Sequence, residues 1–85
     1  MTRMKREEQD RLARTILTIL CKGNVCRTDL LRLTIKRNSG ATLSRFNAVL
    51  MYLHRKGFVD KLGPPRSRAP YKITEKGKRF LEIME

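Results

Sequence analysis

Ser44, Arg45, Ala48, Met51, Arg55 and Lys56 fall within one short stretch, TLSRFNAVLMYLHRKG. Laid on a helix at about 100° per residue, Ser44, Ala48, Met51 and Arg55 share one side, flanked by Arg45 and Tyr52. A guanidinium there can pair bidentately with a guanine edge, worth about 1–3 kcal/mol of discrimination, whereas the ammonium of Lys56 suits a phosphate. Ser44, near the helix start, suits a phosphate or a base edge. Ala48 and Met51 leave room for, or touch, a thymine methyl. Asn47 lies nearer the core edge and is not expected to read a base. A second cationic set follows in GPPRSRAP, where prolines stiffen the chain around Arg66 and Arg68 and where Lys61 and Lys72 stand at the loop's base. These suit a minor groove or flanking phosphates. Arg27, just ahead of a second helix, is a further candidate for backbone contact. The alternative for all of them is an ordinary solvated face.

All of this is binding chemistry. No acid and base pair with a plausible nucleophile, no P-loop and no glycine-rich dinucleotide fingerprint can be read, so no catalytic residue is expected. Cys21 and Cys26 with His54 fall short of the four ligands of a structural zinc site, so no metal and no cofactor are expected. Two reduced, largely buried thiols are the expectation, with a Cys21 to Cys26 disulfide as the alternative in a hyperthermophile.

The charge agrees with the pattern. Twenty Lys and Arg against eight Asp and Glu give 85 residues a formal charge of +12. That exceeds the magnitude of about 2 to 8 that keeps a small domain soluble and implies a polyanionic partner. With 40% hydrophobic residues in clear periodicity, the chain is expected to form a single globular domain over residues 1–85. No run reaches the roughly 18 apolar residues of a membrane span and no secretory leader can be read. A cytoplasmic, nucleoid-associated protein without a membrane partner is expected.

The elements that must position these residues follow from pattern. Residues 1–6, charged and aperiodic, are expected to be frayed or to form a basic arm. A first helix starts at Glu7 with Leu12, Ile16, Ile19 and Leu20 on one face and ends at Lys22-Gly23, with Gly23 as C-cap. Asn24-Val25-Cys26 suits a single β-bridge. A second helix opens at Cys26 or Thr28 and runs to about Lys36, with Leu30, Leu31, Leu33 and Ile35 as its apolar residues. Asn38-Ser39-Gly40 turns the chain, and Thr42 caps the third helix. On that helix Leu43, Phe46, Leu50 and Leu53 are the core side, with Val49 at the margin. Gly57 stops it, Phe58-Val59 begins a strand, and Tyr71-Lys72-Ile73-Thr74 alternates as a returning strand. Thr74 caps a last helix whose Phe80, Leu81, Ile83 and Met84 form an arc wider than one packing stripe, so part of it suits a dimer contact.

Two phrases carry a resemblance. Leu50-Met51-Tyr52-Leu53-His54-Arg55-Lys56-Gly57-Phe58-Val59 is similar to the "L..L...G.(I/V)" joint of the winged helix-turn-helix family of small prokaryotic transcription regulators, the archaeal ones above all. Tyr71-Lys72-Ile73-Thr74-Glu75-Lys76-Gly77-Lys78-Arg79-Phe80-Leu81 is similar to its "Y.(L/I)T.KG..(F/L)L" ending. The resemblance runs from about Leu12 to the end. It implies an α+β, mainly α, winged helix-turn-helix fold: a three-helix core, a β-hairpin wing and a C-terminal helix. It further implies double-stranded DNA as partner, with the recognition helix at about 42–56 in the major groove and the wing at about 61–72 on the adjacent groove or backbone. A homodimer through the first and last helices and no enzymatic activity complete the expectation. The chain departs from the family in its longer connection from Arg37 to Ala41 and in lacking a recognisable effector pocket. Competing readings are a winged-helix adaptor or subunit meeting an acidic protein, and a non-specific nucleic-acid or chromatin-binding protein.

Overall fold

The computed structural model of the chain describes residues 6–38, 41–63 and 69–84. Helix α1 (Arg6–Lys22) carries Glu7 and Glu8 in its first turn and Lys22 in its last, the arrangement the helix dipole favours. Leu12, Ala13, Ile16, Leu17, Ile19 and Leu20 form one broad buried stripe along it. That width lets α1 pack against α2, α3, α4 and β2 together, which makes it the central strut of the core. Gly23 ends α1 without left-handed backbone, because among the described glycines only Gly57 has a positive φ. Gly23 stands at the expected C-cap position after Lys22, but it does not use the left-handed conformation open to glycine. Its N–H bonds Leu20 C=O at 3.2 Å.

Helix α2 (Arg27–Arg37) starts from Cys26, whose backbone is extended and whose thiol donates to the Asp29 carboxylate at 3.3 Å. Leu30 and Thr34 are its buried residues, while Leu33 and Ile35 face outward. The apolar stripe expected of α2 is thus narrower than its composition suggests, since a brace helix touches the core along one row only. Neither thiol is largely buried, contrary to expectation: Cys21 is exposed and Cys26 half-buried, and both are free. Cys21 follows Leu20 off the edge of the buried stripe. At the far end of α2 the Asn38 amide donates to Thr15 Oγ1 of α1 at 3.0 Å and to Thr34 C=O at 3.3 Å. The predicted turn residues Ser39 and Gly40 lie outside the described residues.

Helix α3 (Leu43–Arg55) is capped as expected, with Thr42 Oγ1 accepting from the Arg45 N–H at 3.2 Å. Phe46, Val49, Leu50 and Leu53 are buried. Leu43, assigned to the core from its spacing, is 54% exposed. The buried arc centres between Phe46 and Leu53, so Val49 rotates fully inward and Leu43 falls off the opposite edge. Gly57, at φ 82°, then closes α3. Its N–H bonds His54 C=O at 3.1 Å and the Phe58 N–H bonds Leu53 C=O at 2.9 Å, a Schellman ending with two buried apolar side chains, Leu53 and Phe58, at its ends.

Strands β1 (Val59–Lys61) and β2 (Tyr71–Ile73) pair antiparallel, with Val59 opposite Ile73, Asp60 opposite Lys72 and Lys61 opposite Tyr71. The expected bridge is present: Val25 and Tyr71 exchange both backbone hydrogen bonds, at 2.8 and 3.2 Å. Tyr71 is therefore paired on both sides, to β1 and to the α1–α2 connection.

Helix α4 (Glu75–Met84) begins at Thr74, whose hydroxyl accepts from the Gly77 N–H at 3.1 Å and donates to Gly57 C=O at 2.6 Å. One side chain thus caps α4 and ties it to the end of α3. Leu81 is buried, and the half-buried Phe80 ring lies 4.3 Å, centroid to centroid, from Phe58. Ile83 is 82% exposed, so the apolar arc of α4 is indeed wider than its packing contact.

Candidate nucleic-acid interface

The capped, core-facing α3 leaves its other side in solvent. Ser44, Ala48, Met51 and Arg55 are all exposed and lie in one row along the helix, Met51 at 63%. The row combines a hydroxyl, a small residue, a flexible thioether and a guanidinium. Such a set can enter a groove and meet both base edges and phosphate oxygens. Lys56, at the C-cap, is exposed with its ammonium 6.0 Å from the Tyr52 ring centroid, a placement that steadies the side chain while leaving the charge in water.

The two margins of the row differ. On one, His54 stands 4.0 Å from Asp60 of β1 and edge-on to Tyr71 of β2, with ring centroids 6.3 Å apart. This margin meets the hairpin. Lys61 projects from it with its ammonium 5.8 Å from the Tyr71 ring, and Lys72 sits beside Asp60 in the ladder. Arg66 and Arg68, the expected cations of the hairpin loop, lie outside the described residues, as do Pro64 and Pro65. On the other margin Arg45 is half-buried and reaches back to Glu8 of α1, Nη1 to Oε2 at 3.4 Å. Arg45 is therefore set apart from the Ser44 to Arg55 row and engaged within the fold. At this exposure the pair is worth about 0.2–1 kcal/mol, weak enough for an anion to displace.

Arg27 is the first residue of α2, and its guanidinium donates to the Asn47 Oδ1 of α3. This link is a feature that spacing along the chain did not reveal. It joins the brace helix to the outward helix beside the exposed row, and it orients the Asn47 amide NH2 away from Arg27. The two residues are twenty apart, and only the crossing of α2 and α3 brings them together. The signal available in sequence was two polar residues at the edges of neighbouring helices, which many arrangements would satisfy.

Among the described residues no helix is long and apolar enough to cross a membrane. No protein-family model matches the chain, and no curated protein matches it. Solved structures do. A PadR family transcription regulator from hypervirulent Clostridium difficile R20291 superposes with a TM-score of 0.72 at 22% identity, over 85% of this chain and 80% of that one. SSV1 F-93 gives 0.69 at 20% identity over 87% and 80%. A transcriptional regulator from Clostridium thermocellum gives 0.72 at 16% identity over 96% and 84%. What is shared at such identities is the path of the backbone. With its four helices, antiparallel hairpin and bridged α1–α2 connection, the chain has the winged-helix fold, mainly α, with α3 and the hairpin as its projecting elements.

Proposed function

We propose that the chain is a sequence-specific double-stranded DNA-binding transcriptional regulator, with α3 in the major groove and the hairpin on the adjacent groove or backbone. The observation that carries this reading is the solvent-facing row of α3: four exposed side chains of groove-reading chemistry on a helix whose opposite face is fully committed to the core. The +12 charge supplies the long-range attraction, and the solved structures that share the backbone path include transcription regulators by name. In this reading Ser44, Ala48, Met51 and Arg55 face the bases or the phosphates beside them. Lys56, Lys61, Lys72 and the loop arginines Arg66 and Arg68 contact phosphate, and Arg27 acts through Asn47. Selection of bound duplexes from a random pool tests it. A short enriched motif is expected, with affinity falling against salt at a slope of roughly −5 if about six phosphates are neutralised. Equal retention of all sequences would overturn the specific reading in favour of a chromatin-coating role.

The same reading includes a homodimer through α1 and α4 on a two-fold site, at work on the nucleoid. Ile83 supports it, as a large apolar side chain 82% exposed on a helix that already packs against α1. An adaptor function draws on the same surface, with an unlike partner in place of a second copy.

A further inference from the structure

Arg45 leads to a feature that duplex reading by α3 does not use. Beside its ion pair with Glu8 lies an open cavity of about 290 Å³ between α1, the end of α2 and the first turn of α3. Arg11 of α1, Arg37 of α2 and Arg45 of α3 all line it, with Glu8 as the acid present and Leu12 and Ala41 as apolar lining. Among the described residues neither Arg11 nor Arg37 has an ion-pair partner. Folding therefore brings an arginine from each of three helices to the lining of one space, with a single glutamate among them, paired to Arg45. Such a cluster repels itself unless an anion enters. Guanidinium forks match the oxygens of phosphate in pairs, and more than one fork can share a tetrahedral anion. The cavity adjoins Arg45, on the α3 margin away from His54 and the hairpin.

We propose that this cavity is a phosphate site. It takes one phosphate group, from the flanking strand of a bound duplex or from a free phosphate ester, and that group replaces Glu8 as the partner of Arg45. The duplex source rests on the function proposed above; the free source does not.

The test uses the full chain in a buffer without phosphate. Inorganic phosphate is titrated by calorimetry, and duplex affinity is measured across salt, for the unaltered protein, for Arg11→Gln with Arg37→Gln, and for a charge-matched control on α4, Lys78→Gln with Arg79→Gln. All four positions are exposed, and circular dichroism verifies that each variant is folded. The cavity variant is expected to lose phosphate binding by at least tenfold or to flatten the salt slope by about one unit, with the control unchanged in phosphate affinity. Loss in the phosphate titration alone assigns the free ester, and a flatter slope alone assigns the duplex backbone. Glu8→Gln is expected to tighten whichever interaction is seen, by up to about fivefold. Equal behaviour of cavity variant and control in both measurements would overturn the site. If the unaltered chain binds no duplex but loses phosphate in the cavity variant, the regulator reading fails and this one stands.

Discussion

A β-carbon added at Gly77 would press into the carbonyl oxygen of Phe58, far inside van der Waals contact, and would lie 2.8 Å from Ile73 Cγ1. The same carbonyl accepts from the Thr74 N–H at 3.0 Å, so it cannot turn aside without breaking the bond that ties the residue ahead of α4 to the residue ahead of β1. Gly77→Ala is expected to cost about 2–3 kcal/mol, despite the roughly 1 kcal/mol by which alanine is the better helix former. For a domain of this size that is a loss of roughly 10–20 °C in Tm. A melting curve unchanged by the substitution would show that α4 does not sit this close to the hairpin.

Thr74 serves two elements with one hydroxyl. Thr74→Val keeps the shape, removes the cap of α4 and leaves the Gly57 carbonyl without its donor. Denaturant unfolding is expected to show a loss of about 1–2 kcal/mol, compared with about 1 kcal/mol for Thr42→Ala, which removes a simple cap from α3. Equal losses at the two sites would mean the bond to Gly57 contributes nothing.

Arg55 and Lys56 are adjacent in sequence and separate in role. Arg55 belongs to the exposed row of α3, whereas Lys56 caps the helix above Tyr52. Arg55→Ala is expected to relax base preference at one or two positions, with about 1–3 kcal/mol lost on the selected duplex and little on random DNA. Lys56→Ala is expected to weaken all duplexes alike and to reduce the salt slope by about one unit. Competition assays on both classes of duplex separate these outcomes, and a uniform loss for Arg55→Ala would argue against base reading there.

The contact between Arg27 and Asn47 couples two helices, so the residues should not act independently. In a double-mutant cycle with Arg27→Ala and Asn47→Ala, a coupling energy of about 0.5–1.5 kcal/mol in duplex affinity is expected. Additive losses would identify Arg27 as a plain phosphate contact.

Ile83 provides the test of self-association. Ile83→Asp is expected to shift the solution mass from dimer to monomer with less than about 0.5 kcal/mol change in monomer stability, because the side chain is 82% exposed within one chain. An unaltered chain that already sediments as a monomer would remove the basis for a palindromic site.

Much of this architecture could be read before any coordinates. Thr42 and Thr74 were legible as caps, and Gly57 as a stop, because capping is local chemistry: a hydroxyl or a missing side chain acts within a few residues of its own position. The Val25 bridge was legible only as one arrangement suited to so short a stretch. Leu43, Leu33 and Ile35 were not, because periodicity orders residues around a helix without fixing where the neighbouring helices end. Arg45 shows the same limit at the candidate site. Its angle on α3 placed it beside the exposed row, but its engagement by Glu8 depends on how α1 crosses α3, and the convergence of Arg11 and Arg37 on the same cavity depends on that crossing too.

Tyr71 is hydrogen-bonded to Val25 on one side and laddered to Lys61 on the other, and Leu62 N–H still reaches Pro70 C=O at 2.9 Å beyond the end of β1. The neck of the hairpin is thus anchored from both sides before the segment joining Gly63 to Ala69 begins. A neck so fastened acts as a socket: the joining segment can be lengthened or exchanged at a closure penalty of only about 0.6 kcal/mol per doubling in length, while the hydrophobic core registers nothing. A chain built on this socket can therefore present a different surface by exchanging that segment, without having to evolve a new body.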